Sequence, residues 1–205
     1  MELTATQQDA LTELINIGYA RAAAALSDLT GHRISLEVPE VAIHGIGEIK
    51  TRLLQVIQDE VASVNQIFSG PINGNAVLLL DREAALLLNS LLTDREQRQE
   101  KLDGAAREVI TEVGNILLNA CLGAFGNLLK VQVTFTVPYL QVDKVDKVLR
   151  SITVEGSELE YALVIHTRFH MRASNVSGYL VIILGVTSLK TLLDELRKWE
   201  ERELG

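Results

Sequence analysis

Apolar positions along the chain switch between two periods. From residue 4 to 28, Ala, Leu and Ile recur at helical spacing, and Ala22 to Leu26 is a strong helix-forming run. Thr30-Gly31-His32 breaks it. Residues 32 to 43 then alternate through Ile34, Leu36, Val38, Val41 and Ile43, interrupted by Pro39. That two-residue period predicts a strand, kinked or held at an edge by the proline. A second strand is expected within 61–69. Pro71-Ile72-Asn73-Gly74 is a hairpin turn signal, Val77 to Leu80 is the returning strand, and a helix follows at about 82–92. The charged stretch Asp94 to Lys101 reads as a linker or an exposed helix start. After it the order recurs: a long helix at about 103–128, an alternating strand at 131–142, strands near 160–171 and 177–184, and an amphipathic helix at about 187–203.

Register argues that the recurrence is a repeat. Shifted by 99 positions, Thr12 meets Thr111, Glu13 meets Glu112, Asn16 meets Asn115 and Ile17 meets Ile116, while Asp9 meets Glu108. Val38-Pro39 meets Val137-Pro138 without a gap, so two of the three prolines fall in register. Gly74 to Leu80 resembles Gly178 to Leu184 after a small insertion. The expected fold is therefore α/β of the α+β type. Two units, about 4–93 and 103–203, share one sheet and core around a pseudo-two-fold axis within a single domain, 1–205.

Composition narrows the function classes. Of 205 residues, 47% are hydrophobic but only 4% aromatic, so Leu, Ile, Val and Ala must build the core. The net charge of −8 argues against nucleic acid, whose binding needs a basic surface to release counterions, and against an anionic membrane surface. One cysteine, Cys121, excludes an intramolecular disulfide and fits a reducing compartment. The first residues carry no basic and apolar leader, and no run reads as a transmembrane helix. A cytoplasmic protein with no membrane insertion is expected.

The candidate chemistry is a polar line on each long helix. Positions 9, 13 and 16 fall within roughly 60° of arc, and Glu13 and Asn16 lie about 4.5 Å apart along the axis. Glu108, Glu112 and Asn115 repeat that arrangement among apolar neighbours. A solvated face explains one such stripe, since surface helices need a wet side. Retention of Glu and Asn in both copies favours a role, because a merely wet face tolerates any polar residue. A Glu can pair with a partner's cation. An Asn offers a donor and an acceptor without charge, which suits positioning a water but not accepting a proton. A metal site on two carboxylates and one amide stays possible. No His, Cys or Ser is partnered for nucleophilic work, and no Gly-rich phosphate loop is present.

Acid-x3-Glu-x2-Asn, followed after 22 residues by Pro, resembles the signature of the CheC/CheX/FliY phosphatases of chemotaxis. Here it stands as Asp9-Glu13-Asn16 with Pro39, and as Glu108-Glu112-Asn115 with Pro138. The resemblance spans nearly the whole chain, and two motifs in one short chain look like the CheC branch. It implies hydrolysis of the phospho-aspartate of a CheY-like response regulator. Asn16 and Asn115 would each orient the attacking water. Glu13 and Glu112 would each pair with the lysine beside the phosphorylation site. The chain would need no cofactor of its own, the Mg²⁺ being the regulator's, and a CheD-like deamidase becomes a possible partner. The family usually has Asp or Ser at the first motif position, which Asp9 satisfies and Glu108 exceeds by one methylene, so the halves are expected to differ there. A non-catalytic adaptor for a phosphorylated regulator or a CheD-like protein is the alternative.

Other features invite blander readings. His166 and His170 share a strand face and read as structural, and Cys121 reads as a small buried hydrophobe. Gly18 and Gly114 interrupt long helices, where Gly costs about 1 kcal/mol. They admit close approach of a partner or helix, or tight packing on the sheet. Leu189, Leu192, Leu193, Leu196 and Trp199 form a core-facing stripe.

Overall fold

The computed structural model describes residues 3–57, 60–93, 101–152, 159–171 and 174–203. In chain order the elements are α1 (Ala5–Thr30), β1 (Ile34–Gly45), α2 (Ile46–Val56), β2 (Glu60–Ser69), β3 (Gly74–Asp81), α3 (Arg82–Thr93) and α4 (Gly104–Leu129). They continue as β4 (Thr134–Phe135), β5 (Tyr139–Lys144), α5 (Val145–Ile152), β6 (Leu159–Met171), β7 (Ser174–Gly185) and α6 (Val186–Glu203). Most of the charged stretch before α4 lies outside the described residues.

Both long helices have 26 residues and comparable ends. Thr4 caps α1 in a reciprocal box with Gln7, and the Asp103 carboxylate caps α4 by accepting from the Ala106 N–H. Left-handed residues terminate both, Gly31 at φ 69° and Lys130 at φ 57°.

One antiparallel sheet holds all seven strands, in the order β1-β6-β7-β3-β2, with β4 and β5 on the outer side of β2. The order is unchanged when β1, β2 and β3 are exchanged with β5, β6 and β7. Each half therefore lends its first strand to the other: β1 pairs with β6, and β5 with β2. Two prolines disturb strands at these outer positions, Pro39 as expected and Pro138 against the expectation of one continuous strand. Pairing of β1 slips between Glu37 and Glu40, around Pro39. The strand expected over 131–142 is in fact two, β4 and β5, with Pro138 in the break. Proline cannot donate to the ladder, so it interrupts pairing.

The sheet is covered on both faces. On one, Leu11, Leu14 and Ile15 of α1 and Ile110, Val113 and Leu117 of α4 pack with α3, α6 and strand residues such as Val64, Leu78 and Ile165. On the other, α2 and α5 cover Val77, Leu79, Val181 and Ile183. Buried on both sides, β3 and β7 read as near-continuous apolar runs. The helices α2 and α5 are absent from the sequence expectation, which ran from strand to strand across them.

Gly104–Asn127 of α4 is long and apolar enough to cross a bilayer by length and composition, contrary to the sequence reading. Half of that window is buried inside the protein, where its apolar side serves as core. The two helical glycines have separate explanations. A Cβ on Gly18 would come within 2.9 Å of Cys121 Cα, so here the α1 and α4 backbones cross. A Cβ on Gly114 would come within 2.5 Å of a Val64 methyl, so here α4 presses on β2.

Candidate functional site

The polar lines emerge where packing of α1 and α4 leaves them. Leu11, Leu14 and Ile15 turn into the core while Asp9, Glu13 and Asn16 stay exposed. On α4, Ile110, Val113 and Leu117 are buried, Glu108 and Glu112 are exposed, and Asn115 is half-buried. Within each line a threonine bonds back along its helix: Thr12 Oγ1 donates to the Gln8 carbonyl at 2.8 Å, and Thr111 Oγ1 to the Arg107 carbonyl at 2.7 Å. These hydroxyls are occupied by their own helices.

The two sites differ in how their amides are held. Asn115 Nδ2 donates to Glu112 Oε2 at 3.4 Å, and Asn115 Oδ1 accepts from Asn119 Nδ2 at 2.6 Å. Asn119 Oδ1 in turn accepts from Gln66 Nε2 at 3.0 Å. The same Gln66 nitrogen donates to the Thr136 carbonyl at 3.0 Å. Gln66 is 1% exposed, on the α4 side of β2. The close seat that Gly114 gives α4 on Val64 lies on the same strand, two residues away. In α1, by contrast, the side chains of Asp9, Glu13 and Asn16 make no hydrogen bond or ion pair among the described residues. Ala20 stands where α4 has Asn119. Sequence reasoning missed Asn119 and Gln66. The i+4 spacing from Asn115 to Asn119 was a signal for the first; nothing local marks the second.

Other titratable groups lie away from these lines. His170 Nε2 meets Glu37 Oε2 at 2.9 Å and His170 Nδ1 meets Asn175 Oδ1 at 2.6 Å. The Glu37 contact raises the histidine pKa, and the same contact lowers that of Glu37. His166 stacks on Tyr179 with ring centroids 5.1 Å apart. Its pKa is lowered, first by burial and then by the Arg168 charge. That stack lines a cavity of about 150 Å³ with Glu40, His44 and Arg52, under α2 and on the sheet face opposite α1 and α4. Burial pushes the Cys121 thiol well up, so it is no nucleophile. Among the described residues no three His, Cys, Asp or Glu side chains cluster as a metal would need.

No family model matches the chain. It is 27% identical over 165 residues, 78% of its own length and 78% of the other's, to the CheY-P phosphatase CheC of Bacillus subtilis. Its fold is similar to that of Thermotoga maritima FliY, with a TM-score of 0.80 at 20% identity over 97% of this chain and 100% of that one. The FliM middle domain of H. pylori shares the fold with a TM-score of 0.65 at 12% identity, over 94% and 99% of the two chains. Motif, fold and relative agree, and the chain is similar to the chemotaxis proteins of the CheC/CheX/FliY family.

Proposed function

We propose that the protein hydrolyses the phospho-aspartate of a CheY-like response regulator. The observation that carries this reading is the solvent-reachable Glu–Asn pair on each of two long core helices, with the Glu112 and Asn115 side chains in contact at 3.4 Å. Phosphoryl transfer passes through a loose transition state, so catalysis consists mainly of positioning and electrostatic stabilisation. A carboxamide is adequate for that task. It donates to or accepts from the attacking water without taking its proton, and converts a chance encounter into an oriented one. The exposed carboxylates of Glu13 and Glu112 can meet a lysine of the regulator, and Asp9 and Glu108 stand one turn earlier on the same faces. The Mg²⁺ belongs to the regulator's own acidic pocket, where it neutralises the phosphoryl oxygens.

The test is phosphate release from a CheY-like domain charged with acetyl phosphate. The protein should accelerate release, and the double variant Asn16→Ala/Asn115→Ala should abolish the acceleration. An unchanged rate in the double variant defeats the mechanism. The second reading is an adaptor that holds the phosphorylated regulator or a CheD-like deamidase. It is favoured by the longer acid Glu108 at the head of the second motif. Tight binding of the phosphorylated regulator without faster decay would select it.

A further inference from the structure

The two sites share their motif but not their support, and the support determines which way an amide faces. The chain of side chains behind Asn115 ends in acceptors on both sides. At one end is the Thr136 carbonyl and at the other the Glu112 carboxylate, neither of which can donate as a carboxylate or carbonyl. Gln66 must therefore turn its NH₂ group toward Thr136. The same NH₂ is 3.0 Å from Asn119, so Asn119 must present its oxygen there. The Asn119 NH₂ then faces Asn115, which must present its oxygen at 2.6 Å, and the Asn115 NH₂ is left pointing at Glu112 and solvent. Reversing any one amide sets donor against donor or acceptor against acceptor. The buried Gln66 thus sets the orientation of an amide on the protein surface.

We infer that Asn119, anchored by Gln66, is the positioning residue of the second site. It fixes the Asn115 carboxamide so that its NH₂ side is presented to the reacting water. This inference rests on the phosphatase reading for its catalytic part. The first site lacks the device. Ala20 occupies the place of Asn119, and Asn16 is exposed with no hydrogen-bond partner among the described residues. Its amide must be ordered anew by each regulator that docks. The second site is pre-organised, and the entropy of fixing that side chain is already met in folding.

The kinetic test uses an Asn16→Ala parent, in which only the second site acts, and a phosphorylated CheY-like domain as substrate. Asn119→Ala should lower kcat about tenfold, well inside the ~10²-fold that about 1 Å of misplacement can cost, with little change in KM. Asn119→Asp keeps an oxygen for Gln66 but has no donor for Asn115, so the Asn115 amide should turn over. Its kcat should fall at least as far as in Asn119→Ala. A packing role alone would make Asp the milder change. A second measurement needs no turnover. In the unliganded wild-type protein, ¹⁵N relaxation of the side-chain NH₂ groups should give Asn115 a higher order parameter than Asn16. Asn119→Ala should remove that difference.

If Asn115→Ala silences the parent while both Asn119 variants keep its kcat, the positioning role is overturned and the phosphatase reading stands. If Asn115→Ala leaves the parent fully active, the phosphatase reading itself falls. Equal order parameters for Asn115 and Asn16 in the wild type would overturn the tether whatever the kinetics.

Discussion

The α1 site and the α4 site carry the same Glu-x2-Asn spacing on helices of the same length, yet they are unequal sites. On α1 the motif residues stand exposed and untethered. On α4 the Asn is half-buried and tied through two further amides to a strand and a loop carbonyl. The tether that separates them, Asn119 and Gln66, lies outside the motif. Two copies of one motif can thus differ in freedom, because that freedom is decided by what lies one turn further along and one layer deeper.

The most decisive way to break this comparison is to silence each site alone. Asn115→Ala should leave about a tenth of the dephosphorylation rate and Asn16→Ala about nine tenths, if pre-organisation is worth roughly tenfold. Equal losses in the two single variants would remove the proposed inequality. The seat of α4 offers a second lever. Gly114→Ala gains about 1 kcal/mol of helix propensity but forces a Cβ to within 2.5 Å of Val64, and overpacking costs about 1–3 kcal/mol. Tm should fall by a few degrees, and kcat of the second site should fall with it as α4 moves off Gln66. Gly18→Ala meets the backbone at Cys121 instead and should disturb both helices together.

A smaller effect is expected from the carboxylates. Glu112→Gln should raise KM and weaken the salt dependence of regulator binding, and Glu13→Gln should do so at the other site with kcat less affected. A binding isotherm for each variant at two salt concentrations checks this. The smallest effect concerns a clasp between the halves, His170 of β6 with Glu37 of β1. The folded His170 pKa is raised, so its contribution is full below the unfolded value and is lost as pH climbs through the folded one. The Glu37 pKa is lowered, so its contribution is present above its unfolded value and is lost as pH falls through the folded one. His170→Gln should therefore lower Tm slightly between those two titrations and converge with the wild type beyond them. A Tm difference that is constant with pH would show the clasp to be inert.

Much of this was legible in the sequence because it depends on local pattern. The long helices announce themselves through apolar spacing, the hairpin turn through Asn73-Gly74, and the irregularity of β1 through Pro39. The short helices α2 and α5 were not legible. Gly45 precedes α2 without a side-chain cap, and each helix follows its strand with no residue between them. Their apolar residues, such as Ile49, Leu53, Val148 and Leu149, complete a core whose other wall comes from strands of both halves. The site was half legible for the same reason. Glu13, Asn16, Glu112 and Asn115 sit at helical spacing, but the contact of Gln66 with Asn119 joins residues 53 apart in sequence and exists only once α4 lies on β2.

The exchange of outer strands between the halves has a consequence in time. When β1 leaves the ribosome its partner β6 does not yet exist, because Ile34 must await Met171 and Gly45 must await Tyr161. At ~5–20 residues per second, β1 waits roughly 5 to 30 seconds with both edges open, including the one that β6 will cover. The slip in pairing around Pro39 spoils that edge as a template for a foreign strand during the wait, which is one way natural sheets resist aggregation. A proline that looks like a defect in the finished sheet is thus a safeguard for the unfinished one.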